Sequence, residues 1–219
     1  MSMPLPEGRL RPIRQALVTP VEGQRLLVEA RAMHKQACDL GRLLGIDVST
    51  IPFSAAVLAL HLPLRRQSSV ASGELLVVNL HRRGFKSAEL LLQETPDVLS
   101  DDELDWTLRL LLELEFPRTS SAQTQLLADV VNLADFGLVA IMRQWNQQAS
   151  AGKSLLDLAR GLRLRESYGY WQTRLRDLCF EPTRQLAEAR LKTVSAFIDQ
   201  LDTELEGSAG VQPDEESMP

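Results

Sequence analysis

A surplus of positive charge and paired cysteines are both missing from this 219-residue chain. Its 24 Lys and Arg residues are outnumbered by 29 Asp and Glu residues, for a formal net charge of -5. The overall field therefore does not favour binding to nucleic acid or to an anionic membrane. Cys38 and Cys179 are far apart and form no Cys-x-x-Cys pair. This spacing excludes a disulfide framework and a cysteine-based zinc site, and it is typical of free thiols in a reducing compartment.

Long apolar runs are also missing. No segment approaches the ~20 apolar residues that a helix needs to cross a bilayer. The N-terminal sequence MSMPLPEGRLRPIRQ has no apolar core of the kind found in signal peptides. We therefore expect a cytoplasmic protein.

Apolar residues at helical spacing fill nearly the whole chain, and no alternating pattern indicates a sheet. The composition, 44% hydrophobic and 24% charged, is ordinary for a globular protein with a sizeable core. The pattern predicts an all-α fold, with one helical domain over 20–207 after an N-terminal extension over 1–19. The polar and acidic residues 208–219 are predicted to form a disordered tail.

Glycines, prolines and capping residues predict where the helices begin and end. A helix that begins near Ser68 is predicted to end at Gly84 as its C-cap, and FKSAELLLQETP is then a separate short helix. Ser100 and Glu103 form a capping box that begins another helix. The run TSSAQTQLLADVVNLADFGLVAIMRQWNQQ is predicted to be one long central helix.

Three segments in a particular order resemble a known family. They are ARAMHKQACDLGRLLG, AAVLALHLP and QLLADVVNLADFGLVAIMRQW, and a C-terminal helix containing LAEAR follows them. Over roughly residues 20–206 this order is similar to the HD superfamily of metal-dependent phosphohydrolases, in particular its small, soluble, stand-alone members. The resemblance implies an HD-domain-like helical bundle.

The resemblance also implies where a metal site would lie. In the family, two histidines and two aspartates hold a divalent cation, which activates a water for attack on phosphorus. His34 and His61 match the histidines, but Leu62 and Val131 stand where the aspartates belong. Leucine and valine lack the anionic oxygens that hard cations prefer. We therefore expect neither a bound metal nor catalytic residues, and His34, His61 and Asp129 are the candidate remnants of the site.

Two functions follow from the resemblance. The leading one is a pseudoenzyme: a degenerate HD-type domain that serves as a non-catalytic interaction or ligand-sensing protein. The alternative is an active phosphohydrolase on a nucleotide or other phosphate ester, in which Asp129 or Asp135 rebuilds a site for Mn, Mg, Fe or Zn. A helical bundle unrelated to the family is the third interpretation.

Basic residues near two predicted helix ends are candidates for binding an anion. They are Arg65, Arg66, Arg82 and Arg83. A solvated charged face is the competing interpretation. The expected partner is an unknown protein or a small phosphate-containing ligand, a homodimer is left open, and neither nucleic acid nor a membrane is expected.

Overall fold

The computed structural model describes residues 8–18, 23–64, 80–95 and 97–209. All regular structure in these ranges is helical, which confirms the predicted all-α class. The helices are α1 (Arg11–Val18), α2 (Gly23–Leu44), α3 (Ile51–Ala59), α4 (Leu80–Glu94), α5 (Asp101–Leu112), α6 (Ala122–Leu133), α7 (Leu138–Ser150), α8 (Leu155–Ser167), α9 (Tyr170–Asp177) and α10 (Glu181–Ala209). Two short 3-10 turns, Glu113–Glu115 and Pro117–Thr119, follow α5.

Among the described helices, no single one is both long enough and apolar enough to cross a membrane. The separate helices α6 and α7 reach that length and composition only when they are taken together.

The chain divides into two compact units. The first comprises Met1–Ala134 with Asp177–Arg184, and the second comprises Asp135–Arg176 with Gln185–Pro219. The division falls inside the range 20–207 that the sequence assigns to one domain. A domain is defined by its ability to fold independently, which a division by contacts does not test. The single domain over 20–207 therefore stays a prediction.

Helix α3 lies at the centre of the first unit. All seven residues from Phe53 to Ala59 are buried, and α1, α2, α4 and α5 contact this helix. The side chain of Thr50 begins α3 by accepting a hydrogen bond from the N–H of Phe53 at 3.4 Å, and Pro52 lies in the first turn. A helix that is apolar on every side is stable only when it is surrounded, which is the position that α3 has here.

Helix α1 is part of the same core. Leu10, Ile13 and Leu17 each have 0% of their surface exposed, and α1 contacts α2 and α3. The described part of the predicted N-terminal extension therefore contributes apolar side chains to the first unit. At the other end of the chain, α10 continues to Ala209, so the first two residues of the predicted tail are helical. The rest of that tail, 210–219, lies outside the described residues.

Gly84 lies inside α4, so the prediction that a helix ends there is wrong. A Cβ atom at this position would lie 2.1 Å from the carbonyl oxygen of Leu111 on α5. Glycine is present because α4 and α5 approach each other too closely for a side chain. The residues of the predicted helix that precede α4, from Ser68 onward, lie outside the described residues.

The predicted long central helix is also wrong, because α6 and α7 are separate helices. Helix α6 ends at Leu133, and Gly137 has a φ of +97° before α7 begins. Residues with a side chain rarely adopt this left-handed conformation, so the glycine ends the helical run. By contrast, the predicted capping box of α5 is confirmed: Glu103 Oε2 accepts a hydrogen bond from the N–H of Ser100 at 3.0 Å.

Polar side chains join the helices of the second unit. Arg163 on α8 donates to Asp202 at 2.7 Å and to Asp199 at 2.6 Å, both on α10. Arg165 on α8 donates to the buried Gln144 on α7 at 2.8 Å. These contacts fix α8 against α7 and α10.

We predict that Gly84→Ala lowers the free energy of unfolding by about 3 kcal/mol, because the new methyl group would overlap the Leu111 carbonyl. Gly161 on α8 is the matched control, since a Cβ atom there meets nothing within 4 Å. Gly161→Ala should raise stability by about 1 kcal/mol, the difference in helix propensity. Urea unfolding of both variants tests this, and equal effects of the two substitutions would contradict the close approach of α4 and α5.

Candidate functional site

His34, the first of the two candidate histidines, lies on α2 with 3% of its surface exposed. Its Nε2 is 3.0 Å from the hydroxyl of Ser54 on α3, and that hydroxyl donates to the carbonyl of Thr50 at 3.1 Å. Since Ser54 has only one hydroxyl proton, Nε2 of His34 is the donor in the first bond. Nδ1 is then the unprotonated nitrogen, and it lies 3.7 Å from the thiol of Cys38. Both ring nitrogens of His34 therefore have partners inside the protein.

Burial keeps this cluster neutral. It lowers the pKa of His34 below 6.5, and together with the nearby Asp39 it raises the pKa of the Cys38 thiol. The thiolate, not the thiol, is the nucleophile and the metal ligand. The pair His34 and Cys38 is therefore a structural contact between neutral groups rather than an activated nucleophile.

His61, the second candidate, follows the end of α3 and has 1% of its surface exposed. Its Nδ1 donates to the carbonyl of Val57 at 2.8 Å, one turn earlier in the chain. The next residue, Leu62, is fully buried at 0% exposure. The side chain of His61 thus satisfies a carbonyl at the end of α3, and Leu62 is part of the apolar core.

Asp129 on α6 has a structural role that its sequence position does not reveal. Its carboxylate is fully buried, and the two oxygens accept the N–H groups of Cys179 at 2.7 Å and Phe180 at 3.0 Å. These residues immediately precede α10, so the carboxylate holds the N-terminal end of that helix against α6. Burial raises the pKa of Asp129, while the two N–H bonds act in the opposite direction.

The two other positions considered for an acidic ligand are Val131 and Asp135. Val131, where the resemblance would place the later aspartate, has 5% of its surface exposed and is part of the core. Asp135 belongs to the second unit and forms an ion pair with Arg174 at 2.6 Å. In the part of the chain that the structure describes, no three His, Cys, Asp or Glu residues form a group that could hold a metal ion.

The anion-binding candidates are placed only in part. Arg65 and Arg66 lie outside the described residues. Arg82 is exposed on α4. Arg83, half-buried, donates its Nε–H to the carbonyl of Leu60 at 3.0 Å, next to the end of α3. A cation in this place stabilises the C-terminal end of a helix, so Arg83 has a structural contact whether or not an anion binds.

A groove on the surface of the first unit has no counterpart among the residues selected from the sequence. It is lined by Asp105, Leu108, Arg109, Leu112, Glu113 and Phe116. Trp106 borders it, with the Arg109 guanidinium 5.7 Å from its ring centroid. Trp106, Leu112 and Phe116 have 38%, 44% and 66% of their surfaces exposed. These apolar residues are visible in the sequence, but the sequence alone does not say which face of α5 points outward.

Comparison of the chain with protein-family models, with curated proteins and with solved structures found no match. The all-α class is therefore what the structure shows, and the resemblance to the HD superfamily stays a prediction from the residues.

We predict that His34 makes stability depend on pH. Because its pKa is lowered in the folded state, the unfolded chain binds the extra proton first. Stability should therefore fall as the pH decreases from about 6.5 to the folded-state pKa. His34→Gln should remove this contribution, which is measured as the difference between the two proteins in urea unfolding from about pH 5 to 8. Parallel pH profiles of wild type and variant would contradict the neutral, buried imidazole.

We also predict that Asp129→Ala lowers the free energy of unfolding by about 3 kcal/mol, because two N–H groups before α10 lose their acceptor. Asp135→Ala is the matched control. It breaks a single ion pair with Arg174, in which both side chains keep about a quarter of their surface exposed, and should cost about 1 kcal/mol. If thermal unfolding shows the same loss for both variants, the carboxylate of Asp129 does not hold α10 as described.

Proposed function

We propose that this protein is a degenerate HD-type domain that acts by binding, as a non-catalytic interaction or ligand-sensing protein. The observation that carries the proposal is the fully buried Leu62 beside His61. An aspartate there would bring negative charge and a bridging oxygen to a metal, whereas leucine brings only apolar volume to the core.

Three further contacts support the proposal. His34 donates to Ser54, His61 donates to the Val57 carbonyl, and Asp129 accepts two backbone N–H groups. His34 and Asp129 thus join separate helical segments, and His61 satisfies a carbonyl of α3 itself. Residues around a metal can tune ligands that are present, but they do not replace missing anionic ligands.

The alternative, an active phosphohydrolase, would require these contacts to change. Asp129 would have to release the N–H groups before α10, and Asp135 would have to release Arg174. No contact of the described residues favours that rearrangement. The exposed apolar side chains along α5 are instead of the kind that a binding protein presents to a partner.

We predict that the protein, purified without a chelator and without a metal-affinity tag, contains far less than stoichiometric divalent metal. It should not hydrolyse p-nitrophenyl phosphate or nucleotides when manganese is added, because two anionic ligands are absent. Elemental analysis and a phosphate-release assay measure both quantities. Near-stoichiometric metal, lost together with turnover in His61→Ala, would overturn the proposal and favour the phosphohydrolase.

Leu62→Asp provides the control for this experiment. Burying a leucine contributes about 1.5 to 3 kcal/mol, and a buried carboxylate adds a desolvation cost. The variant should therefore be destabilised by at least about 3 kcal/mol with or without manganese, while Leu62→Met should cost less than about 1.5 kcal/mol. Rescue of Leu62→Asp by manganese would show that the surroundings still form a metal site.

A further inference from the structure

Helix α5 has one face in the core of the first unit and another in solvent. Thr107, Leu110 and Leu111 are buried, whereas Leu112 and Phe116 are 44% and 66% exposed. Two large apolar side chains on one short stretch, beside an exposed tryptophan, form an apolar surface. Aromatic residues and arginine are the residue types enriched where proteins bind one another.

The charges on this outer face are of both signs, four residues apart. Arg109 is held over the Trp106 ring. One oxygen of Glu113 accepts from the hydroxyl of Thr124 at 3.0 Å, which fixes the direction of the carboxylate. A carboxylate accepts several hydrogen bonds, so a bond to Thr124 leaves capacity for a cation. Both charged groups are thus oriented before any partner arrives.

The order of these residues is self-complementary. If two copies of α5 lie antiparallel about a two-fold axis at the level of Leu111, residues equally far from Leu111 face each other. Arg109 and Glu113 each lie two residues from it, so Arg109 of one copy faces Glu113 of the other. Trp106 on α5 and Phe116, which follows the 3-10 turn after α5, lie on either side of this pair in the sequence and are both exposed. A two-fold interface needs this property, because one surface must fit itself.

We propose that the groove on α5 is a homodimer interface, in which α5 of each copy packs antiparallel on α5 of the other. The pairing forms two ion pairs, each between Arg109 of one copy and Glu113 of the other, beside the exposed Leu112 of each copy. The interface does not depend on the proposed loss of metal binding, since none of its residues is a candidate ligand. One helix pair buries less surface than the 1,200 Å² or more of typical stable complexes, so the dimer should dissociate in roughly the micromolar range.

The test uses charge reversal in the full-length chain, with sedimentation velocity over a concentration series up to about 1 mM. Arg109→Glu places four carboxylates along the interface, and Glu113→Arg places four cations there. Each variant alone should have a dissociation constant at least about tenfold higher than wild type, because like charges face each other. An equimolar mixture of the two variants should dimerise again, because each cation then faces a carboxylate.

The mixture separates the proposal from a folding defect, since two damaged proteins would not restore each other. Phe116→Asp should also weaken the dimer, whereas Val139→Asp, at a side chain that is 71% exposed on α7, should leave it unchanged. Circular dichroism melting confirms that each variant is folded.

Two outcomes would overturn the proposal. One is a wild-type dimer that neither charge reversal weakens, which would place the interface elsewhere. The other is a monomer at every concentration. In that case, the rate at which the cysteine of Phe116→Cys reacts with a thiol reagent distinguishes two explanations. Slow reaction means that another segment of this chain covers the face, and fast reaction means that the face is open and binds a different protein.

Discussion

Polar side chains that are buried between packed helices must find their hydrogen-bond partners within the protein, and the first unit depends on this constraint. His34 joins α2 to α3 through Ser54, and Asp129 joins α6 to the start of α10. His61 satisfies a carbonyl at the end of α3. An unpaired buried group would cost about 1 to 3 kcal/mol, so the contacts of His34 and Asp129 hold the segments that they join in one arrangement.

The same contacts connect the fold to the proposed function. His34 and His61 are bonded within the protein and Asp129 accepts two backbone N–H groups, while Leu62 and Val131, at the positions where the resemblance would place aspartates, are buried apolar side chains. Chemistry on phosphate needs charge and an activated water in one place. The first unit also has an outer surface, formed by α5 and the turn after it, with exposed apolar side chains and charges of both signs.

Glycine illustrates how one residue type serves different purposes. Gly84 follows two arginines at the end of an apolar run, which is the pattern of a C-cap, yet it lies within α4 where the Leu111 carbonyl leaves no room for a Cβ atom. Gly137 lies within a continuous apolar run, yet its φ of +97° separates α6 from α7. A glycine can be required either because two helices approach closely or because the backbone adopts a left-handed conformation. The local sequence pattern does not distinguish these two reasons.

The sequence by itself determined the all-α class, the capping box of Ser100 and Glu103, and the absence of acidic side chains at positions 62 and 131. These properties depend on backbone hydrogen bonding and on residue identity, which are local. Only the tertiary structure decided that Asp129 binds the residues before α10, that His34 donates through Nε2, and that Trp106 on α5 and Phe116 after it are exposed. Helical spacing defines the faces of a helix, but the neighbours that cover a face come from distant parts of the chain, and no local pattern specifies them.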